Sequence, residues 1–289
     1  MSHYKAEKQF IMETLAEAGQ LLMDNLGKEN EPIWATTTNF KVAMDEACDK
    51  FIRGKIRQRF PKYSIHSEED RPELKEGDFS FSVDPIDGTI PYTTHSSPNW
   101  SICLALIEGR RPVVGGVFMP QRKELYVGVD GEPSTCNGIE VRVSEETDLS
   151  KVLMGSDAGK EVPDWFRRES SLPFKRLDYL ITVPFSFGCA SVPLCQVSSG
   201  KPNSKLPLVG RMNAYLALSL EPWDMAAQVP IIRGAGGKVT HLSGKEWQFS
   251  GYMQGDPSIL TANPILHQRI LLELKPEIEN FYREYPKYN

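Results

Sequence analysis

One stretch constrains this chain more than any other: Asp84-Pro85-Ile86-Asp87-Gly88-Thr89, which follows the run Phe79-Ser80-Phe81-Ser82-Val83. Apolar and small polar residues alternate through that run at the period of a half-buried strand. Asp84 therefore falls on the face of Ser80 and Ser82, away from the phenylalanines. Pro85 favours an extended Asp84 and fixes its own φ, so the chain turns sharply and brings Asp87 back to the side on which Asp84 projects. Two carboxylates then share one small volume. Like charges this close raise each other's pKa unless a cation neutralises them, and hard oxygen donors suit Mg2+ or Mn2+. Gly88 lets backbone approach a ligand, Thr89 offers a hydroxyl, and Pro91 lies in a first helical turn, where its missing N–H costs nothing. Free amides over 88–90 would add an anion site beside the carboxylates. Taken alone, the same turn is equally one whose aspartates cap backbone amides.

The rest of the chain decides between these. At 289 residues it is long enough for two ordinary domains or one large layered one. A net charge of −5 with no basic stripe argues against a nucleic-acid polymer as partner. No apolar run reaches membrane-spanning length, and residues 1–27 lack the apolar core of a signal peptide. Five dispersed cysteines without a Cys-x-x-Cys pair suggest neither a disulfide framework nor a zinc site, so the cytoplasm is the expected compartment.

Ile11, Leu15, Ala18 and Leu22 fall on one face of a helix predicted over 4–26. A second helix, 41–59, carries Met44, Cys48, Phe51, Ile52 and Ile56 on one stripe. Asp45 lies beside that stripe near the helix start, where a favourable first-turn charge would account for it. A strand over 63–67 delivers Glu68-Glu69-Asp70, plainly read as a solvated turn, and His66 reads as a packing residue. Strands over 100–107, 112–119 and 124–129 form an antiparallel meander, and Asn137-Gly138 turns the chain into another strand, 140–143. The charged stretch 144–150 divides the chain into residues 1–146 and 147–289. The second half alternates strands (152–156, 180–183, 214–220, 238–240, 258–261) with helices, as in a layered domain. One helix of small residues covers 189–198. Another opens at Glu221-Pro222-Trp223-Asp224 and is predicted to kink at Pro230, and a last one starts at Asn263-Pro264. Residues 200–210 form an inserted loop. Ser199-Gly200-Lys201 is no P-loop, because the upstream glycine and the following Ser/Thr are absent.

Glu68, then Asp84-Pro85-Ile86-Asp87-Gly88-Thr89, then Trp223-Asp224 opening a helix resemble, in that order, the inositol monophosphatase family of Mg2+-dependent phosphatases. The resemblance covers about residues 45–263, including Cys136-Asn137-Gly138 and Gly188-Cys189-Ala190-Ser191. It implies an α/β (α+β) fold, a layered α/β/α/β/α sandwich with an antiparallel sheet in the first half and a mixed sheet in the second, often as a homodimer. It implies that Glu68, Asp84 and the Ile86 carbonyl bind one metal, and that Asp84, Asp87 and Asp224 bind a second. Asp84 would bridge them, with two to three Mg2+ per site and Mn2+ as a substitute. Asp87 and the Gly88 and Thr89 amides would hold the phosphate, and Asp45 would hydrogen-bond the Thr89 hydroxyl, which orients the attacking water. Gly188, Cys189, Ala190 and Ala217 are implied at the substrate. Asp224 comes from the second half, so the site must lie where the halves meet.

The sequence also departs from the pattern it resembles. Asn39 and Val42 stand where the family has an aspartate and a threonine, and Ile90-Pro91-Tyr92 follows Thr89 in place of Thr-Asn-Phe. Ala217 replaces the acidic residue that contacts the inositol ring. Losing that acceptor weakens selection for inositol hydroxyls by roughly 1–3 kcal/mol unless the 200–210 insertion replaces it. The expected function is Mg2+-dependent hydrolysis of a small-molecule phosphate monoester (inositol, sugar or polyol phosphate) by metal-activated water. A 3′(2′),5′-bisphosphate nucleotide and histidinol phosphate are the alternative substrates. The non-enzyme alternative, a metal- and phosphate-binding regulatory protein, is disfavoured by retention of Asp45, Glu68, Asp84, Asp87, Thr89 and Asp224.

Overall fold

Apolar periodicity builds the outermost layer. Helix α1 (Lys5–Asn25) buries Phe10, Ile11, Leu15, Ala18 and Leu22, and helix α2 (Ala43–Arg59) buries Cys48, Ile52 and Ile56. Both pack against Phe81, Val83, Leu104 and Leu106 on one face of the first sheet. These elements belong to a computed structural model that describes residues 3–28, 33–34, 40–41, 43–70, 79–158, 184–185, 188–218, 220–250 and 255–284.

Strands β1 (Ile33–Trp34) and β2 (Phe40–Lys41) form a small antiparallel pair. The large sheet takes β3 (Ser64–Ser67), β4 (Phe79–Asp87), β5 (Ser101–Glu108), β6 (Arg111–Met119), β7 (Glu124–Val129), β8 (Thr135–Cys136) and β9 (Ile139–Glu140) in chain order. The meander is antiparallel as expected, and β3 joins its edge parallel to β4. Asn137 and Gly138 both adopt positive φ (50° and 76°), the conformation a two-residue hairpin turn demands. The helix start after β4 becomes the short helix α3 (Thr89–Thr94).

The second sheet runs β11 (Pro184–Phe185), β10 (Met154–Ala158), β12 (Ala214–Leu218), β14 (Ile259–Ala262), β13 (Lys238–Thr240). The first three strands are parallel and the last two pairings antiparallel, so the sheet is mixed. Helices α4 (Ser191–Ser198), α5 (Pro222–Ala226) and α6 (Gln228–Gly234) lie between the sheets. Their Val192, Cys195, Met225 and Ile231 share one core with Cys103, Val117 and Tyr126 of the first sheet and Tyr215 and Ile259 of the second. Helices α7 (Pro264–Glu273) and α8 (Lys275–Glu284) cover the outer face through Leu266, Ile270 and Phe281. The layers are thus α/β/α/β/α.

Three details differ from the sequence reading. The strand expected over 140–143 is the two-residue β9, which ends at Glu140. The helix expected to kink at Pro230 is instead two helices meeting at Ala227: Pro230 has no N–H, and its ring crowds the carbonyl of Ala226 four residues back. The junction rests on a sheet surface cleared of side chains. A Cβ on Gly115 of β6 would stand 1.8 Å from the Ala227 carbonyl oxygen, and one on Gly128 of β7 would stand 2.5 Å from Ile231. Helix α8, unmarked in the sequence reading, closes the outer layer. The strand expected over 180–183 lies outside the described residues. All five cysteines are buried and free, and no described helix is long and apolar enough to cross a membrane.

Candidate active site

Asp84 and Asp87 are three residues apart, so on a regular strand they would point to opposite faces. The register resolves this. Asp84 pairs with Cys103 and Asp87 with Ser101, three steps on β4 against two on β5, and this bulge returns both carboxylates to one side. Pro85 supplies no ladder donor at that point, and the Ile86 amide donates instead to Asp84 Oδ1 at 3.1 Å. The sharp turn expected here is therefore a bulged continuation of β4. Asp84, Asp87 and Cys103 each offer a buried ligand atom, all within 4.8 Å of one another.

Asp87 is aimed by the second half of the chain. Its Oδ2 accepts from the Ser191 amide (2.7 Å), the Ser191 hydroxyl and the Cys189 thiol (3.1 Å), while Oδ1 accepts from the Ala190 amide (3.3 Å). The 188–190 turn, expected at the substrate, thus directs donors from Cys189 and Ala190 to Asp87. Gly188 opens it at a positive φ of 67°. Gly88 also requires glycine: its φ is 91°, and a Cβ there would stand 3.0 Å from both the Asn99 carbonyl oxygen and Cys189 Cβ.

Asp45, buried in the first turn of α2, reaches the start of α3. The Thr89 hydroxyl lies 3.5 Å from Asp45 Oδ1 and 3.2 Å from the Ile86 carbonyl oxygen. Glu68 follows β3 and hydrogen-bonds its amide to Val83. The preceding Ser67 hydroxyl donates to Asp49 of α2, which also pairs with Arg53 at 3.1 Å, so α2 steadies this strand end. Asp224 opens α5 in a reciprocal cap with Glu221: it accepts from the Glu221 amide at 3.2 Å.

Burial pushes the Asp84 carboxyl well above the usual carboxylate range, and Glu68, Asp87, Asp224 and Asp45 push it further. Burial, Asp87, Glu68 and Glu221 do the same to Asp224. The strongest charges acting on these two groups are other carboxylates. Such a buried all-carboxylate set fits a hard divalent cation. Cys103 fits it poorly, because burial, Asp84 and Asp87 hold its thiol protonated and Gln228 donates to its sulfur at 3.3 Å.

Asp45, Glu68, Asp84, Ile86, Asp87, Thr89 and Asp224 therefore gather in one region, each in contact with or electrostatically acting on another. Ala217 lies next to the end of β12, fully buried in the central core and opposite Asp157 in register. The 200–210 insertion is displaced from the site. The Ser199 hydroxyl donates to the Gly210 carbonyl (2.7 Å) and the Met212 amide to the Gln196 carbonyl (2.9 Å). These bonds seat the loop on the last turn of α4, about 12 Å along an eight-residue helix from the turn that faces Asp87. Asn39 and Val42 lie outside the described residues. Sequence reasoning missed Cys103, Ser191 and Glu221. Glu221 left a readable signal, as an acceptor just before the proline of a helix start, and Ser191 closes the Gly188-Cys189-Ala190-Ser191 motif without a role of its own being read there.

The relatives of this five-layered chain define its class, a phosphoric monoester hydrolase. The profile of the inositol monophosphatase family matches residues 5–279, and the chain belongs to that family. It is 28% identical over 274 residues to fructose-1,6-bisphosphatase/inositol-1-monophosphatase of Thermotoga maritima, covering 93% of this chain and 96% of that protein. It is 28% identical over 265 residues to inositol monophosphatase 3 of Solanum lycopersicum, covering 86% and 92%. The crystal structure of extragenic suppressor protein suhB from Bartonella henselae shares the fold, with a TM-score of 0.81 at 22% identity over 94% of this chain and 99% of that one.

Proposed function

We propose that this phosphatase hydrolyses a small-molecule phosphate monoester of the inositol, sugar or polyol class, in a reaction that depends on Mg2+, with Mn2+ as a substitute. The observation that carries the reading is the buried carboxylate cluster, in which the strongest charges acting on Asp84 and Asp224 are other carboxylates. Glu68, Asp84, the Ile86 carbonyl, Asp87 and Asp224 would hold two to three ions. When bound, these ions neutralise the phosphate, lower the pKa of water and stabilise the leaving oxygen.

The chain's own residues do the rest. Asp45 lies 3.5 Å from the Thr89 hydroxyl and would accept its hydrogen once the nearer acceptor, the Ile86 carbonyl at 3.2 Å, is engaged by an ion. The Thr89 oxygen would then accept from, and so orient, the attacking water. The Gly88 and Thr89 amides bind the phosphoryl oxygens at the start of α3, where Gly88 holds a positive φ of 91° that a side chain would strain. The 189–191 donors fix Asp87 so that it cannot rotate away when charge in the site changes. Asp224 brings the second half to the reacting group, and Ala217 itself offers the leaving group's hydroxyls no acidic acceptor.

The test is phosphate release from inositol phosphates, sugar phosphates, adenosine 3′,5′-bisphosphate and histidinol phosphate, each with Mg2+ and with EDTA. Metal-dependent release from the inositol, sugar or polyol members is the expected result. Release confined to the nucleotide or histidinol phosphate would overturn the substrate class, and Mg2+ binding without release from any of them would overturn the reading.

A further inference from the structure

A cavity of about 270 Å3 opens at the C-terminal end of α4, between the segment after β9 and the loop over 199–211. Val141, Leu206 and Val209 form its apolar wall, and Leu206 and Val209 pack onto the central core. Arg142, Lys201 and Arg211 bring three cations to it, against the single lining carboxylate of Glu140. Arg142 Nε donates to Glu140 at 2.7 Å, and Lys201 pairs with Glu145 at 2.6 Å. Arg211 makes no ion pair with any described residue.

The loop around this cavity is built. The Lys201 amide donates to the Arg142 carbonyl (2.9 Å), and the Asn203 side chain donates to the Glu140 carbonyl (3.1 Å). Its two ends close without room for a side chain. A Cβ on Gly200 would stand 2.5 Å from the Met212 carbonyl oxygen, and one on Gly210 would stand 2.3 Å from Gln196 Nε2. A chain of net charge −5 thus holds a cationic mouth over an apolar wall.

We infer that this cavity is a second binding site, separate from the carboxylate cluster, for a small organic anion with an apolar body and a phosphate or carboxylate head. The body lies against Val141, Leu206 and Val209. The head lies on Arg211, whose planar fork suits an oxyanion and has no carboxylate partner to displace among the described residues, with Arg142 and Lys201 adding charge. The volume suits a ligand at the small end of the usual range. All eight residues of α4 are buried between this mouth and Asp87, so the two sites are separate spaces.

Phenylphosphonate carries such a head on an aromatic body and has no ester to hydrolyse. Isothermal titration calorimetry is run on the full chain in EDTA, where no metal draws anions to the carboxylate cluster. One binding event is expected. Arg211→Ala should weaken it at least tenfold and Arg211→Lys less, while Asp84→Asn leaves it within twofold. Inorganic phosphate, which lacks the apolar body, should bind at least tenfold more weakly. No heat up to millimolar phenylphosphonate, or binding unchanged by Arg211→Ala, would overturn the site. Equal affinity for inorganic phosphate would overturn the apolar half of its specificity. Arg211 is exposed, so its variants should keep the wild-type circular dichroism spectrum.

Discussion

Asp87 Oδ2 takes three donors from Cys189 and Ser191, and Oδ1 takes the Ala190 amide, so neither oxygen is free to turn. In Asp87→Asn an amide N–H would face one or more of these donors, and one carboxylate would leave the cluster. Turnover should fall at least a hundredfold, read as phosphate release at saturating Mg2+. Ser191→Ala is milder, since the backbone amide at 2.7 Å remains. Removing a partner that orients a ligating carboxylate typically costs ten- to a hundredfold in metal affinity. The Mg2+ concentration for half-maximal activity should therefore rise roughly tenfold while the saturated rate changes little; an unmoved midpoint would show that the hydroxyl is not needed for aiming. Asp45 and Thr89 act through one hydrogen bond. Asp45→Asn and Thr89→Ala should accordingly be non-additive, the double variant losing little more kcat than the worse single one.

The bulge between Asp84 and Asp87 makes these carboxylates neighbours, and it marks where sequence legibility ends. That the two converge could be read from Pro85 and from the alternation before it, because both are local. That they converge by a register slip against β5, with Cys103 opposite Asp84, could not, because register depends on which strand pairs and where. Helices α1 and α2, the meander and the Asn137-Gly138 turn were readable for the same local reason. The donors that Cys189, Ala190 and Ser191 give to Asp87 cross more than a hundred residues, and no local period encodes them. The junction at Ala227 is similar. Pro230 announces an interruption, but its place is set by packing on Gly115 and Gly128, two glycines that read only as weak points in strands. Gly115→Ala puts a methyl carbon 1.8 Å from a backbone oxygen that cannot rotate away, so α5 and α6 must shift. Overpacking of this kind costs about 1–3 kcal/mol, which urea denaturation would read as a lower midpoint with an unchanged slope. Because α5 carries Asp224, the same variant should also need more Mg2+; a stability loss with unchanged Mg2+ dependence would mean the shift is absorbed in α6.

At the scale of the whole molecule, the two halves share a continuous core and bring together carboxylates on which the strongest acting charges are other carboxylates. Under the proposed function, folding and metal binding should therefore be linked. Burial and the neighbouring carboxylates raise Asp84 and Asp224 in the folded metal-free protein above their unfolded values, so the native state holds more protons than the unfolded chain. Stability must then fall as pH rises. No penalty exists below the ordinary carboxylate range, where both states are protonated. It grows as pH climbs through the raised native range and is complete once both groups ionise. Asp84→Asn removes one of these charges and relieves the other. In EDTA the variant should melt higher than wild type at neutral pH, and the gap should close as pH falls into the carboxylate range. Comparing wild type with variant cancels the surface carboxylates, whose own titration bends both curves alike. Mg2+ should invert the order: the ionised cluster is then the form that binds, so wild type gains stability with Mg2+ at neutral pH by mass action and Asp84→Asn gains little. Melting temperatures against pH, with EDTA and with Mg2+, measure both effects together. Parallel curves for the two proteins in EDTA would show that the cluster is solvated enough to carry its charge without a metal, and the link between folding and metal would then be lost.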